Sequence, residues 1–249
     1  MRYKALIFDL DGTAIPAIKD ALPSVNVINS IRNAQRVVTV SAATGRSLPM
    51  AQDIINSLNL KDPCILSGGT QIIDPKKGKT LWETHLILSQ VKEVIAICMP
   101  YAYEIFFSDE TVGSPAINKH IKGPERIIYV KDCKKEDAEK IRRNVLGVKN
   151  ISAHFAGSWT KDRVDIHITH ATATKKQAVN ELINILGIKK EGVLVVGDSG
   201  NDLPLFESAG FKVAMDNATE DLKKVADYIA PPVEEDGLAY VIQKFILDS

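Results

Sequence analysis

The five residues Asp9-Leu10-Asp11-Gly12-Thr13 follow directly on the short run Lys4 to Phe8 (KALIF), and that junction constrains the chain more than any other feature. A brief apolar run without alternation is the mark of a strand covered on both faces, hence of a parallel sheet with helices above and below it. Ligands of such sheets bind beyond the carboxyl ends of the strands, so both carboxylates stand at the crevice, and strand alternation places Asp9 and Asp11 on one side. Neighbouring carboxylates repel each other unless a cation or a shared proton compensates, and a hard divalent ion with oxygen ligands is the usual solution. The plainer reading is that Asp-Gly is a turn and Asp9 a strand-end cap.

The same pattern recurs late in the chain, where Val193 to Gly197 (VLVVG) runs into Gly197-Asp198-Ser199-Gly200-Asn201-Asp202. Asp198 falls at a strand tip and Asp202 at the start of the next helix, where a negative charge is favourable and a cap alone would explain it. A cap does not explain why a second strand ends in carboxylates. Arg36 to Ala42 and Cys64 to Ser67 read as weaker strands. Apolar residues spaced i, i+3, i+4, i+7 mark amphipathic helices at Ala51, Ile54, Ile55 and Leu58, at Val179, Leu182, Ile183 and Leu186, and at Leu238, Val241, Ile242 and Phe245. Strands alternating with helices predict an α/β fold with a doubly wound, Rossmann-like parallel sheet. Val40 to Arg46 follows the second strand and opens a helix, so the Thr44 hydroxyl and nearby backbone N–H groups can bind a phosphate. Lys175 begins another helix, a poor place for a cation unless an acidic pocket compensates it. Lys176 reads as solvated, as do the pairs Lys134-Lys135, Lys189-Lys190 and Lys223-Lys224.

The middle of the chain departs from this rhythm. From Leu86 to His170 the order is a helix (Val91, Val94, Ile95, Cys98), strands near Tyr103 to Phe107 and Ile127 to Val130, a helix (Ala138, Ile141, Val145), and strands near Ile151 to Phe155 and Val164 to Ile168. Paired strands in an αββαββ order predict a small antiparallel sheet with helices on one face. The expected organisation is a discontinuous main domain, residues 1–84 and 171–249, interrupted by an inserted α+β domain at 85–170. Gln71 to Glu83 fits a hairpin closing on Lys77-Gly78. At roughly 150 residues per domain, a chain of 249 residues accommodates this division.

Composition excludes several classes. Lys and Arg number 31 against 31 Asp and Glu, which removes the general attraction to phosphate backbones that most nucleic-acid binders show. The three cysteines, Cys64, Cys98 and Cys133, form no C-x-x-C and point to reduced thiols. The amino terminus turns acidic too early for a signal peptide. The apolar window Val94 to Tyr103 is broken by Pro100, far short of the ~20 residues a membrane span needs. A soluble cytoplasmic protein without nucleic-acid or membrane partners is expected, as a monomer or a homodimer. His167 and His170 are spaced like a metal pair, but on a strand they point to opposite faces. Trp159, in the loop Ala156 to Thr160, is a candidate to reach over the crevice or an ordinary packing residue.

Taken together, four segments resemble the haloacid dehalogenase (HAD) superfamily of phosphohydrolases, specifically its Cof-type branch with a C2B cap. They are DLDGT at Asp9 to Thr13, ATGR at Ala43 to Arg46, Lys175 in KKQAVNEL, and GDSGND at Gly197 to Asp202; Val213 to Ala218 and Glu235-Asp236-Gly237 are similar to the family's closing segments. The resemblance spans nearly the whole chain and implies a phosphoric monoester hydrolase. Asp9 would be the nucleophile that becomes an aspartyl-phosphate, and Asp11 the acid and then the base, a role that asks for a pKa nearer neutrality than that of a free aspartate. Mg²⁺ would be held by the Asp9 carboxylate, the Asp11 backbone carbonyl and Asp198, with Asp202 steadying the shell. Thr44 and Lys175 would bind the transferring phosphoryl group, with Gly45, Arg46, Ser67, Gly68 and Asn201 around it. Up to four carboxylate charges, plus about two from a phosphate, exceed what Lys175 can balance.

The implied substrate is a small phosphorylated metabolite, such as a sugar phosphate or a phosphoglycolate-like monoester. The alternatives are a phosphomannomutase-like phosphotransferase and a non-enzymatic, receiver-like phospho-acceptor. Receivers lack an acid two residues beyond the acceptor and have no inserted domain. The chain departs from the family at Ala14-Ile15-Pro16, where a leucine pair is usual, at Ser67-Gly68-Gly69 for Asn-Gly-Gly, at Asp216 for glycine and at Lys176 for a small residue. The insertion is also short for a Cof-type cap, which implies a trimmed one.

Overall fold

The computed structural model describes residues 3–18, 20–107, 123–158 and 160–248. The chain divides into two compact units, Met1–Trp82 with Thr174–Ser249, and Glu83–Ala173.

The first unit begins with strand β1 (Ala5–Phe8), fully buried along its length. Helix α1 (Val25–Ala34) follows, started by Ser24, whose hydroxyl accepts from the Val27 amide at 3.1 Å, and buried through Val27, Ile31 and Ala34. Next come β2 (Thr39–Ala42), α2 (Leu48–Ser57) and β3 (Cys64–Leu66). Two further strands, β4 (Gln71–Asp74) and β5 (Lys79–Glu83), are sheet neighbours and form the expected hairpin. Its turn is closed by the Asp74 carboxylate, which accepts from the Lys76 and Lys77 amides at 3.0 Å each, and by Gly78 at φ +62°.

The second unit is the insertion, built of α3 (Leu88–Cys98), β6 (Ile105–Phe107), β7 (Ile127–Lys134), α4 (Lys135–Val145), β8 (Ile151–Gly157) and β9 (Arg163–His170). Its sheet runs β6-β7-β9-β8 with every pair antiparallel. Val91, Val94, Ile95 and Cys98 from α3 and Ala138, Ile141 and Val145 from α4 share one core with Ile128, Val130, Ile166 and Ile168 from the strands. Both helices therefore lie on one face of the sheet, as the αββαββ order predicts. Trp159 lies outside the described residues.

The chain returns to the first unit with α5 (Lys175–Leu186), β10 (Val193–Gly197), α6 (Leu203–Phe206), β11 (Phe211–Met215), α7 (Glu220–Val225), β12 (Tyr228–Ala230) and α8 (Gly237–Ile242). Five parallel strands in the order β12-β11-β10-β1-β2 make the central sheet. Alternate residues feed two cores: Leu6, Phe8, Val40, Leu194, Val196 and Val213 pack on one face with Ile31 and Leu238, whereas Ala5, Ile7, Val193 and Val195 pack on the other with Val179 and Leu182. Each such buried Leu, Ile, Val or Phe contributes about 1.5–3 kcal/mol relative to exposure. Burial on both faces is why these strands carry no polar alternation.

One strand differs from expectation. β3 does not extend the central sheet as a full strand; a single parallel bridge, Ala43 to Ile65, links it to the segment after β2, and its ladder is with β4, antiparallel. Ser67, Gly68 and Gly69 take φ values of +50°, +68° and +103°, and these left-handed steps fold the chain straight back on itself. Among the described residues no helix is long and apolar enough to cross a membrane.

Candidate active site

Asp9, Asp11, Thr44, Gly45, Arg46, Ser67, Gly68, Asp198, Asn201 and Asp202 all belong to the first unit and follow the carboxyl ends of its strands, and Lys175 of the same unit stands at the head of α5. β1 and β10 are adjacent and in register, Phe8 opposite Val196, so the acidic segments that follow them emerge side by side. The Asp9 amide donates to the Val196 carbonyl at 3.0 Å, which extends the ladder by one residue and fixes the start of the loop. Leu10 and Ile15, both fully buried, pin the loop's ends, and the Ala14 and Ile15 amides both donate to the Leu10 carbonyl. Between them Gly12 sits at φ +79°, where a Cβ would run into the Asp198 carboxylate. Only glycine allows the first acidic loop to approach the second so closely.

Lys175 is the centre of the cluster. Its side chain is 4% exposed, and its Nζ lies 2.7 Å from Asp9 Oδ1 and 2.6 Å from Asp202 Oδ1, with Asn201 Oδ1 at 3.4 Å. Its backbone is held at the head of α5 because Thr174 caps that helix, accepting from the Gln177 amide at 3.1 Å. The unfavourable placement of a cation at a helix N-terminus is thus offset by two carboxylates. Burial opposes the Lys175 charge, but Asp202 and Asp9 outweigh it and hold the ammonium above its ordinary pKa.

Asp202 is fully buried at the start of α6, and its side chain closes a capping box with Ser199 as well as binding Lys175. Its Oδ2 accepts from the Asp198 and Ser199 amides at 3.1 and 3.2 Å, while Oδ1 takes Lys175. That carboxylate therefore shapes the β10 loop and the charge balance at once. Asp198 stands in front of it, half-buried, with the Thr13 hydroxyl donating to it at 3.4 Å. Burial, then Asp202, push the Asp198 carboxyl up to about 7. Asp9 is also raised well above the usual range, by burial first and by Asp202 and Asp198 beyond what Lys175 offsets.

Ligand atoms of Asp9, Asp198 and Asp202 lie within 4.8 Å of one another. Three converging carboxylates share one ammonium, and burial first, with the neighbouring carboxylates adding to it, raises Asp9 and Asp198. Hard oxygen donors at this spacing suit a divalent cation, so the cluster is capable of holding one.

The remaining candidates line the neighbouring strand end. The Thr44 hydroxyl is fully buried and accepts from the Arg46 amide at 3.1 Å, and its carbonyl receives the Gly68 amide at 3.0 Å. Ser67 donates its amide to the Arg46 carbonyl at 2.9 Å, which ties the Ser67-Gly68-Gly69 turn to the Thr44-Gly45-Arg46 segment. Gly69 is packed so closely on the Thr174 backbone that a side chain would collide there. The Asp11 carboxylate stands outside the acidic cluster and is gripped by Arg46, Nη2 to Oδ1 at 2.6 Å and Nε to Oδ2 at 2.9 Å.

Asn217 escaped the sequence reading as an individual residue. Its side-chain amide donates to the Gly12 carbonyl at 2.9 Å and its Oδ1 accepts from the Val233 amide at 2.9 Å, so it ties the first acidic loop to the segment before α8. The available signal was its place two residues after β11, next to the other strand ends. Asp216 beside it points away, exposed, toward Lys223 at 3.7 Å. Lys176 pairs with Glu207 on the surface at 2.8 Å. His170 bonds Thr172 and His167 packs edge-on against Tyr129, and neither belongs to a metal-capable cluster among the described residues.

The chain is similar to known proteins over nearly its whole length. The family model of haloacid dehalogenase-like hydrolases matches residues 6–242. Phosphoglycolate phosphatase 1 of Saccharolobus solfataricus is 25% identical over 98% of this chain and 96% of its own length. A 5-amino-6-(5-phospho-D-ribitylamino)uracil phosphatase of Bacillus subtilis is 27% identical, again over 98% and 96%. Among solved structures, a HAD subclass IIB sugar phosphatase superposes with a TM-score of 0.81 at 20% identity, covering 97% of this chain and 98% of that one.

Proposed function

This chain belongs to the haloacid dehalogenase-like hydrolases, and from that premise we propose that it is a Mg²⁺-dependent phosphatase of the Cof type. Its substrate class is small phosphorylated metabolites, of which phosphoglycolate and sugar phosphates are the first to try. Support comes from the names of the relatives and from the balance of the site, three carboxylates about one lysine. The αββαββ insertion with its four-stranded antiparallel sheet supports reading the second unit as a C2B-type cap that sets specificity. Membership in a hydrolase family leaves no place for the receiver-like alternative. A soluble, cytoplasmic setting fits a substrate of this kind.

The observation that carries the mechanism is the Asp9 environment. Among the described residues its only side-chain hydrogen bond is from Lys175, on Oδ1, so Oδ2 remains for nucleophilic attack. In the first step an Asp9 oxygen bonds to phosphorus as the ester P–O bond breaks, and the departing oxygen takes a proton from Asp11. In the second, Asp11 removes a proton from water, whose oxygen bonds to phosphorus as the Asp9–phosphorus bond breaks, releasing inorganic phosphate. Lys175 and Thr44 stabilise the transferring phosphoryl oxygens. Asp9, the Asp11 carbonyl and Asp198 would hold Mg²⁺, with Asp202 behind them, and the bound ion would offset carboxylate charge and polarise the phosphoryl oxygens.

Acid-quenching the enzyme during turnover of a phosphate monoester with Mg²⁺ tests this reading. A phosphate adduct on the Asp9 peptide is expected by mass spectrometry, absent in Asp9→Asn, and turnover is expected to vanish with EDTA. Steady turnover by Asp9→Asn would remove Asp9 from the chemistry.

A further inference from the structure

Arg46 begins α2's approach with its backbone fixed at both ends, its amide on the Thr44 hydroxyl and its carbonyl on the Ser67 amide. From that anchor the side chain, 14% exposed, reaches across to Asp11 and forks it with Nε and Nη2, while Nη1 is 3.4 Å from the Met50 carbonyl. Paired, charge-assisted hydrogen bonds of this kind fix orientation as well as distance. Asp11 needs fixing. Its carboxylate is 35% exposed, it is separated from Asp9 by one residue, and among the described residues no other side chain holds it. A free carboxylate there would turn among rotamers or be drawn to any cation in the Asp9, Asp198 and Asp202 cluster.

We propose that Arg46 is a positioning residue for Asp11, holding its carboxylate beside the acidic cluster but out of it, where it serves the leaving oxygen. The inference rests on the reading of Asp11 as the proton donor of the first step. It differs from the role that resemblance assigns to Arg46, a direct phosphate contact, because the fork already spends two of its three nitrogens on Asp11. Lysine cannot replace it, since an ammonium is a point charge without a planar fork.

The two roles separate by leaving group. A nitrophenyl phosphate departs as a stable phenolate and needs little protonation, whereas an alkyl phosphate departs as an alkoxide and needs a proton. The parameter to follow is kcat/KM, which reports the first transfer only. Asp11→Asn is expected to lower kcat/KM for the alkyl ester about 10²-fold or more beyond its effect on the nitrophenyl ester. Arg46→Ala should show the same selective loss, Arg46→Lys a selective loss of roughly tenfold, and the Asp11→Asn/Arg46→Ala double variant no more selectivity than Asp11→Asn alone. Should Arg46→Ala prove unfolded by circular dichroism, the Arg46→Lys comparison decides alone.

A uniform loss on both esters in the Arg46 variants, with Asp11→Asn selective, overturns the positioning role and makes Arg46 a phosphate ligand. No selectivity in Asp11→Asn itself overturns the proton-donor reading, and the proposal with it. The two failures are therefore distinguishable.

Discussion

Lys175 carries more of the charge balance than any other residue, since one buried ammonium serves both Asp9 and Asp202. Removing one member of a buried ionic group leaves its partners uncompensated, which costs about 3–5 kcal/mol. Lys175→Met keeps the volume and deletes the charge, so its effect isolates that cost. In EDTA the variant should melt roughly 10 °C below the wild type, given ~2–4 °C per kcal/mol for a chain of this size. Mg²⁺ should narrow the gap, because a bound divalent ion supplies the missing positive charge to the same carboxylates. Thermal melts with and without Mg²⁺ check this; an equal gap under both conditions would mean that the ammonium is not acting as the charge partner of the cluster. Asp202, whose burial a simple cap would not require, is expected to be its counterpart.

At the scale of elements, backbone conformation decides how helices end. α5 terminates at Gly187, φ +64°, with nothing near its missing side chain, whereas the turn after α3 terminates at Ala102, φ +55°, where a Cβ is present. A left-handed non-glycine residue costs roughly 1–2 kcal/mol. Gly187→Ala should therefore lower the urea midpoint by the equivalent of about 1 kcal/mol, and Ala102→Gly should raise it by up to the same amount. Equal small losses for both would show that the chain relaxes away from these angles. The same local physics explains what could be read from sequence. β1 and β10 were legible because burial on both faces leaves continuous apolar runs, and their tips carried the acidic motifs. Helix α1 was not, since Val25 and Ile28, among asparagines, mask the Val27, Ile31, Ala34 stripe that it buries. The role of β3 also escaped, because its run resembles a core strand and only the positive φ values of residues 67–69 send it into another sheet. Arg46 on Asp11 and Asn217 on Gly12 were invisible for a different reason: each joins segments distant in sequence, and only the parallel register brings those strand ends together.

Among the described residues the molecule contains three cores, one on each face of the central sheet and one in the insertion, and its three cysteines sample two of them, one in each unit. Cys64 lies in the core that Leu6, Phe8 and Ile31 share in the first unit, Cys98 and Cys133 in that of the insertion, each 0–1% exposed. Burial pushes all three thiols up to about 12 from an ordinary 9.0. Raised acid pKa values stabilise the folded state fully below 9.0, and that contribution is lost as pH rises from 9.0 toward 12, because the unfolded chain ionises first. Resistance to urea should accordingly fall between pH 8 and pH 10, by direction of the thiols alone. At pH 8 an aromatic disulfide reagent should find no reactive thiol in the native protein and three after unfolding, since the thiolate is the nucleophile. Divalent cation then distinguishes the units. The acidic cluster belongs to the first unit, so Mg²⁺ at a hundred times its dissociation constant should stabilise that unit by about 2.7 kcal/mol, slowing Cys64 labelling roughly a hundredfold. Cys98 and Cys133 have no part in that binding, and in independently opening units their labelling rates stay unchanged. Peptide-resolved labelling with and without Mg²⁺ reads both rates in one sample. Equal protection of all three cysteines would instead mean that the two units open as one cooperative structure, with the energy of the metal site shared across both units.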